Sequence, residues 1–172
     1  MFDNATSDIG IYEAGYAGPP DPDTYMLKNI FSPEEVSTSV ALTKGRRQFE
    51  DCTGTCCFCT RVPIKMVLEC FNAATGWDFT PKEAADVGFR AANVFRAFNV
   101  RVGIGPEKDR PSTRWSSAPV DGPAKGITIN PHWDAMLDNY YKQMGWDTKT
   151  GVPTADTLNK LGLQNVAKDL YK

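Results

Sequence analysis

The residues best suited to chemistry lie in one short stretch, Asp51-Cys52-Thr53-Gly54-Thr55-Cys56-Cys57-Phe58-Cys59. Cys56 stands out, because a thiolate there is a good ligand for a soft metal. Gly54 allows a turn that turns successive backbone N–H groups outward, a nest able to hold an anion or the sulfides of a cluster. Cys52, Cys56, Cys57 and Cys59 nominally supply four ligands, the number a zinc or iron–sulfur site needs. The adjacent Cys56-Cys57 pair makes one shared site awkward, and the spacing is neither a zinc-ribbon nor a ferredoxin pattern. Cys57, Cys59 and Cys70 equally read as small buried hydrophobes. Asp51 either caps the turn or accepts hydrogen bonds from the N–H groups of a heterocycle.

Other candidates are weaker. Arg46, Arg47 and Arg61 flank the loop, either solvated or placed to grip a phosphate bidentately. Arg90, Arg96 and Arg101 coat an outer helix face or meet a partner. His132 is the single histidine and reads as a surface or first-turn residue. Tyr12, Glu13 and Tyr16 sit on a Gly-rich loop, where binding groups concentrate. No nucleophile elbow, P-loop or dinucleotide fingerprint occurs.

The elements that must position these residues are helices. Residues 1–31 carry Gly10, Gly15, Gly18, Pro19, Pro20 and Pro22 and read as an extended, irregular region packed on a partner. Residues 32–172 then form a helical core with the loop 51–59 set into it. Ser32-Pro33-Glu34-Glu35 is a capping signature that predicts a helix from 33 to about 46, ending at the basic Lys44, Arg46 and Arg47. A second helix starts near Pro63 and stops at Gly76. Thr80-Pro81-Lys82-Glu83 caps a long amphipathic helix with Val87, Ala91, Val94, Phe95 and Phe98 on its apolar face and Arg90, Asn93 and Arg96 opposite. Gly88 within it points to close helix packing. After a loop over 104–129, helices follow from Asn130 to Met144, near 155–161 behind Thr154, and near 164–171. The fold class is mainly α, one helical domain with long loops and no βαβ pattern.

Composition sets bounds on function. The chain has 172 residues, 41% hydrophobic and 23% charged, a globular balance. With Lys plus Arg at 19 and Asp plus Glu at 21, the net charge of -2 gives no global attraction for nucleic acid or anionic lipid. No apolar run is long enough for membrane insertion. The start lacks a secretion signal, and five crowded cysteines make a poor disulfide framework, so a reducing, cytoplasmic setting is expected.

The ordered motifs EDCTGTCCFC, NAATGWDFTPKEAADVGFRAANVFRAFNVRVG, YYKQMGWDTKTGVPTADTLNKLGL and VAKDLY resemble the C-terminal part of tungsten-containing aldehyde:ferredoxin oxidoreductases. The resemblance is good over 50–172 and loose before. It implies a helical lobe covering a tungsten or molybdenum bis-pterin beside a 4Fe-4S cluster. By resemblance Cys56 is the fourth cluster ligand of a late D-x-x-G-L-C motif, and Asp51 contacts a pterin. Thr53, Gly54 and Thr55 form the backbone wall of the pterin site, with Cys52 in the same stretch; Thr55 replaces the usual Leu. The upstream C-x-x-C-x-x-x-C run and the N-terminal domain are absent from this sequence. The resemblance therefore implies a partner subunit carrying that domain and three cluster cysteines, and ferredoxin or an iron–sulfur subunit as electron partner. The start at Met1 favours a separate subunit over a fragment. Thr6-Ser7-Asp8-Ile9-Gly10-Ile11-Tyr12-Glu13 resembles the family's T/S-x-D-R-G-x-x-H region, with Ile9 for Arg and Glu13 for a pocket histidine. Glu13 is thus a candidate for moving a proton, and the departure leaves room for the tungsten subunit of benzoyl-coenzyme A reductases. A non-catalytic structural subunit and a zinc-binding module are the competing classes.

Overall fold

A computed structural model describes residues 1–9, 27–56, 59–60 and 62–172. Its helices are α1 (Phe2–Ala5), α2 (Pro33–Cys52), α3 (Ile64–Thr75), α4 (Pro81–Arg101), α5 (Thr113–Ser116), α6 (Trp133–Met144, entered through a 3-10 turn over Asn130–His132), α7 (Ala155–Lys160) and α8 (Gln164–Leu170). No strand occurs among the described residues; a single antiparallel bridge joins Trp146 and Pro153. The mainly α reading holds.

Local chemistry fixes the boundaries. The Ser32 hydroxyl accepts from the Glu35 N–H, and Pro33 opens α2. Thr80 and Glu83 close a reciprocal capping box on α4: the Thr80 N–H donates to Glu83 Oε2 at 2.9 Å, and the Glu83 N–H donates to Thr80 Oγ1 at 3.3 Å. Gly76 and Gly145 end α3 and α6 in the left-handed region.

Two elements depart from the sequence reading. Helix α2 does not stop near 46 but runs to Cys52. Its basic residues lie mid-helix and pair one turn on, Arg46 with Glu50 at 3.2 Å and Arg47 with Asp51 at 2.7 Å. They support continuation instead of answering a helix end. The start of the chain is not wholly irregular either. Helix α1 places Phe2, 2% exposed, against the Trp133 and Tyr140 rings at 5.1 and 5.7 Å. Burying such a ring contributes roughly 2–3 kcal/mol.

Helix α2 lies between α4 and α6. The larger core cluster joins Phe2, Val40, Ala41 and Ala92 to the α6 residues Trp133, Met136, Leu137, Tyr140, Tyr141 and Met144, with Trp146 beyond. A second cluster, Phe49, Ile64, Val67, Leu68 and Ala84 with Phe71 and Phe79 against it, braces the C-terminal half of α2. A Cβ built on Gly88 would lie 1.7 Å from the Gly45 carbonyl oxygen, so α2 and α4 cross backbone to backbone there.

Val87 packs against the second cluster and Arg90 is exposed, as expected, but further along α4 the buried face departs from the expected one. Ala84, Gly88, Ala92, Asn93, Arg96 and Ala97 point inward, while Val94 and Phe95 are exposed and Phe98 is 64% exposed. Arg96, 1% exposed, is held by carboxylates from distant segments: Asp109 bidentately at 3.1 and 2.7 Å, and Asp8 at 3.3 Å. Its Nε donates to the Gly151 carbonyl at 2.8 Å, and its guanidinium stacks 4.9 Å over Trp146. Asn93 Oδ1 accepts from Trp146 Nε1 at 2.9 Å. A paired charge with every donor direction used can be buried, and this one draws its whole helix face inward.

Candidate functional site

The cysteine-rich stretch begins on the last turn of α2. Its shape follows from how that helix ends. The Gly54 N–H donates to the Asp51 carbonyl at 3.0 Å and the Thr55 N–H to the Glu50 carbonyl at 3.2 Å, with Gly54 at φ +73°. This is a Schellman cap. The Glu50 carbonyl also accepts from Thr53 Oγ1 at 2.7 Å and Thr55 Oγ1 at 3.0 Å. The N–H groups of Thr53, Gly54 and Thr55 therefore close the helix; they are not an outward-facing nest. A Cβ at Gly54 would meet nothing within 4 Å, so open space borders the turn.

Cys56 follows the cap directly. Its carbonyl accepts from the Cys59 N–H at 2.7 Å, the Thr60 N–H at 3.0 Å and Thr60 Oγ1 at 3.2 Å. Cys52, Cys56 and Cys59 are free thiols and exposed. Cys70, on α3, is exposed as well. The buried-filler reading thus fails for Cys59 and Cys70. Asp51 is exposed, and its carboxylate lies 2.7 Å from Arg47 Nη1.

Behind the turn Arg46 and Glu50 answer one another. Arg46 is buried; its Nε and Nη2 reach Glu50 Oε1 at 3.3 and 3.2 Å, and Nη2 also donates to the Val62 carbonyl. It is committed there and does not face a ligand. Burial pushes the Glu50 carboxyl above its ordinary value, against the pull of Arg46.

The structure brings Asp51, Cys52, Thr53, Gly54, Thr55 and Cys56 together at one helix end. Glu13, Tyr12, Tyr16, Cys57 and Arg61 lie outside the described residues. Among the described residues no group of three or more His, Cys, Asp or Glu side chains is arranged to hold a metal ion. What the donor set offers is exposed thiols at Cys52, Cys56 and Cys59, with the Asp51 acceptor five residues before Cys56. That set fits one corner of a cluster and one edge of a heterocycle, and among the described residues it makes no complete metal site.

Two features escaped the sequence reading. One is the Arg96 centre, where Tyr141 Oη also donates to Asp109 Oδ2. Burial and the Asp109 carboxylate push the Tyr141 phenol far above its ordinary range. The other is a largely apolar cavity of about 620 Å³ lined by Phe31, Trp115, Ile127 and Met136, with Arg114 and His132 also on it. His132 is exposed, as expected. Neither the Arg96 centre nor the cavity has a local sequence signal, because the contributing segments lie far apart in the chain.

The model for aldehyde ferredoxin oxidoreductase, domains 2 & 3, matches residues 2–163. The chain belongs to the aldehyde ferredoxin oxidoreductase family. Tungsten-containing aldehyde ferredoxin oxidoreductase of Pyrococcus furiosus is 35% identical over 116 residues, 66% of this chain and 19% of that protein. The enzyme of the same description from Thermococcus kodakarensis is 34% identical over 116 residues, with the same coverage of 66% and 19%. The aliphatic sulfonate oxidoreductase, WOR-like subunit, of Pyrococcus furiosus is 27% identical over 132 residues, 72% of this chain and 21% of that one. Among solved structures, the active-site complex BamBC of benzoyl coenzyme A reductase in complex with 1,5-dienoyl-CoA has the same fold, with a TM-score of 0.66 at 22% identity over 83% of this chain and 21% of that chain. The chain spans about a fifth of the length of these relatives. No helix among the described residues is long and apolar enough to cross a membrane.

Proposed function

We propose that this chain is the C-terminal part of a tungsten (or molybdenum) bis-pterin, iron–sulfur oxidoreductase that acts on aldehydes and passes electrons to ferredoxin. It works only with a partner subunit that brings the N-terminal pterin-binding domain and three cluster cysteines. Family membership supports the reading. The observation that carries it is the free, exposed Cys56 thiol set directly after the capped end of α2.

When bound, the metal–pterin and the 4Fe-4S cluster supply two-electron oxidation of an aldehyde to a carboxylate and one-electron steps onward. The residues of this chain hold and orient. Cys56 would ligate one iron, its backbone fixed by the three donors on its carbonyl. Asp51 would accept from a pterin N–H. Thr53, Gly54 and Thr55 have their N–H groups occupied by the cap, so they would meet the pterin as a wall with their carbonyls and side chains. Glu13 would hold the proton exchanged with substrate, a role a carboxyl can take when its surroundings raise its pKa.

Cys56→Ser in the complex with its natural partner tests the assignment. Iron content and the electron spin resonance signal of the cluster should both fall. An unchanged four-iron signal overturns it. The replacement of the family's pocket His by Glu13, and of Arg by Ile9, favours a second reading, a reductive enzyme on an aromatic coenzyme A thioester. Turnover of benzoyl thioester with a low-potential donor, without turnover of aldehydes, would select it.

A further inference from the structure

Two thiols three positions apart follow the α2 cap, and a backbone hydrogen bond joins their residues. Cys56 and Cys59 are both free and exposed. The Cys59 N–H donates to the Cys56 carbonyl at 2.7 Å, and Thr60 adds two more donors to the same oxygen. A hydrogen bond from an N–H to the carbonyl three residues before it goes with Cα atoms within about 7 Å of each other. A disulfide spans Cα atoms about 4.4–6.8 Å apart. The ring to be closed is four residues long and its two end residues are already hydrogen-bonded, so little chain entropy opposes closure. Neither Cys52 nor Cys70 is placed this way. The Schellman clasp over Glu50 and Asp51 stands between Cys52 and Cys56, and Cys70 lies on α3.

We propose that Cys56 and Cys59 form a reversible disulfide, a redox modification site on the same thiol that would otherwise ligate metal. The oxidant is a small-molecule disulfide of the glutathione class. The Cys56 thiolate attacks one sulfur of glutathione disulfide, that S–S bond breaks, and one glutathione leaves as thiolate. The Cys59 thiolate then attacks the Cys56 sulfur and displaces the second glutathione. Two protein thiols lose two electrons and two protons; one glutathione disulfide gains them as two thiols. The consequence for cluster assembly rests on the proposed function, because a sulfur in a disulfide cannot act as a thiolate ligand. The disulfide itself does not depend on that reading.

The test uses the full chain. Residues 48–61 leave trypsin as one peptide with four cysteines, so the assignment is made in a Cys52→Ser/Cys57→Ser background. The protein is reduced, incubated with glutathione disulfide, alkylated and mapped by mass spectrometry. The expected peptide is two hydrogens lighter, carries no alkyl group, and regains two alkylation sites after dithiothreitol. With Cys59→Ser added, the reaction stops at one glutathione on Cys56. Alkylation of both Cys56 and Cys59 after oxidation overturns the proposal, as does glutathione retained on Cys56 while Cys59 is present. A disulfide that forms in a protein whose Cys56→Ser complex keeps a four-iron signal sinks the cluster assignment alone. A Cys56→Ser complex that loses its cluster, with no disulfide in the chain, sinks the disulfide alone.

Discussion

Replacing Gly88 by Ala would test the backbone crossing on which the α2 site rests. The added methyl would meet the Gly45 oxygen at 1.7 Å, the Gly45 carbonyl carbon at 2.6 Å and the Phe49 N at 2.8 Å. All three are backbone atoms, so no rotamer change relieves the clash and the helices must part. A gap of about 1 Å already forfeits a quarter to a half of each dispersion contact across an interface. The affected layer contains Ala41, Phe49, Ala84 and Ala92, all buried. Overpacking costs about 1–3 kcal/mol and occasionally more. Against this, Ala gains about 1 kcal/mol over Gly in helix propensity. The backbone nature of the clash puts the first term at its upper end, and a net loss of about 2 kcal/mol or more is expected. Gly45→Ala should lose less, because two of its three close contacts at 2.8 Å are Phe89 ring atoms that can shift. Urea unfolding followed by circular dichroism measures both variants at once. A Gly88→Ala chain as stable as the parent, or more stable, would refute the crossing.

Arg96→Met should destabilise by about 3–5 kcal/mol, because it leaves the Asp8 and Asp109 carboxylates buried without their partner; a shift in urea midpoint equivalent to under about 1 kcal/mol would contradict the pairing. Glu50 holds its proton more tightly in the folded chain than at the ordinary 4.5. Its ionisation therefore opposes folding, and stability falls as pH rises from that value through the raised one. Glu50→Gln should remove this slope, seen as a narrowing difference between the two chains in urea midpoint as the pH is lowered. A difference independent of pH would contradict the shift.

Helix starts and stops were legible because their determinants are adjacent in sequence. Ser32, Thr80 and Thr154 cap their own helices, and Gly76 and Gly145 end theirs. Gly88 announced a close approach, and the crossing is there. The buried face of α4 was not legible. Phe95 and Phe98 look like core in any local window, and what turns them outward are Asp8 and Trp146, 88 and 53 positions from their partners Arg96 and Asn93. The length of α2 was misread for a related reason: three basic residues look like a helix end until Glu50 and Asp51 are seen to answer two of them. At the site, the place of the cysteines was legible from Gly54 and the clustering. Their exposure was not, since a cysteine's hydropathy suits core and surface alike. The supposed nest failed because the same glycine conformation that can bare N–H groups also closes a helix.

The contacts of Phe2 and Asp8 have a consequence for how the chain folds. Phe2 rests on Trp133 and Tyr140, and Asp8 answers an arginine whose cage includes the Gly151 carbonyl. Phe2 thus meets rings 131 and 138 positions further along the sequence, so a long loop must close before α1 is seated, and a contact of that span is slow to form.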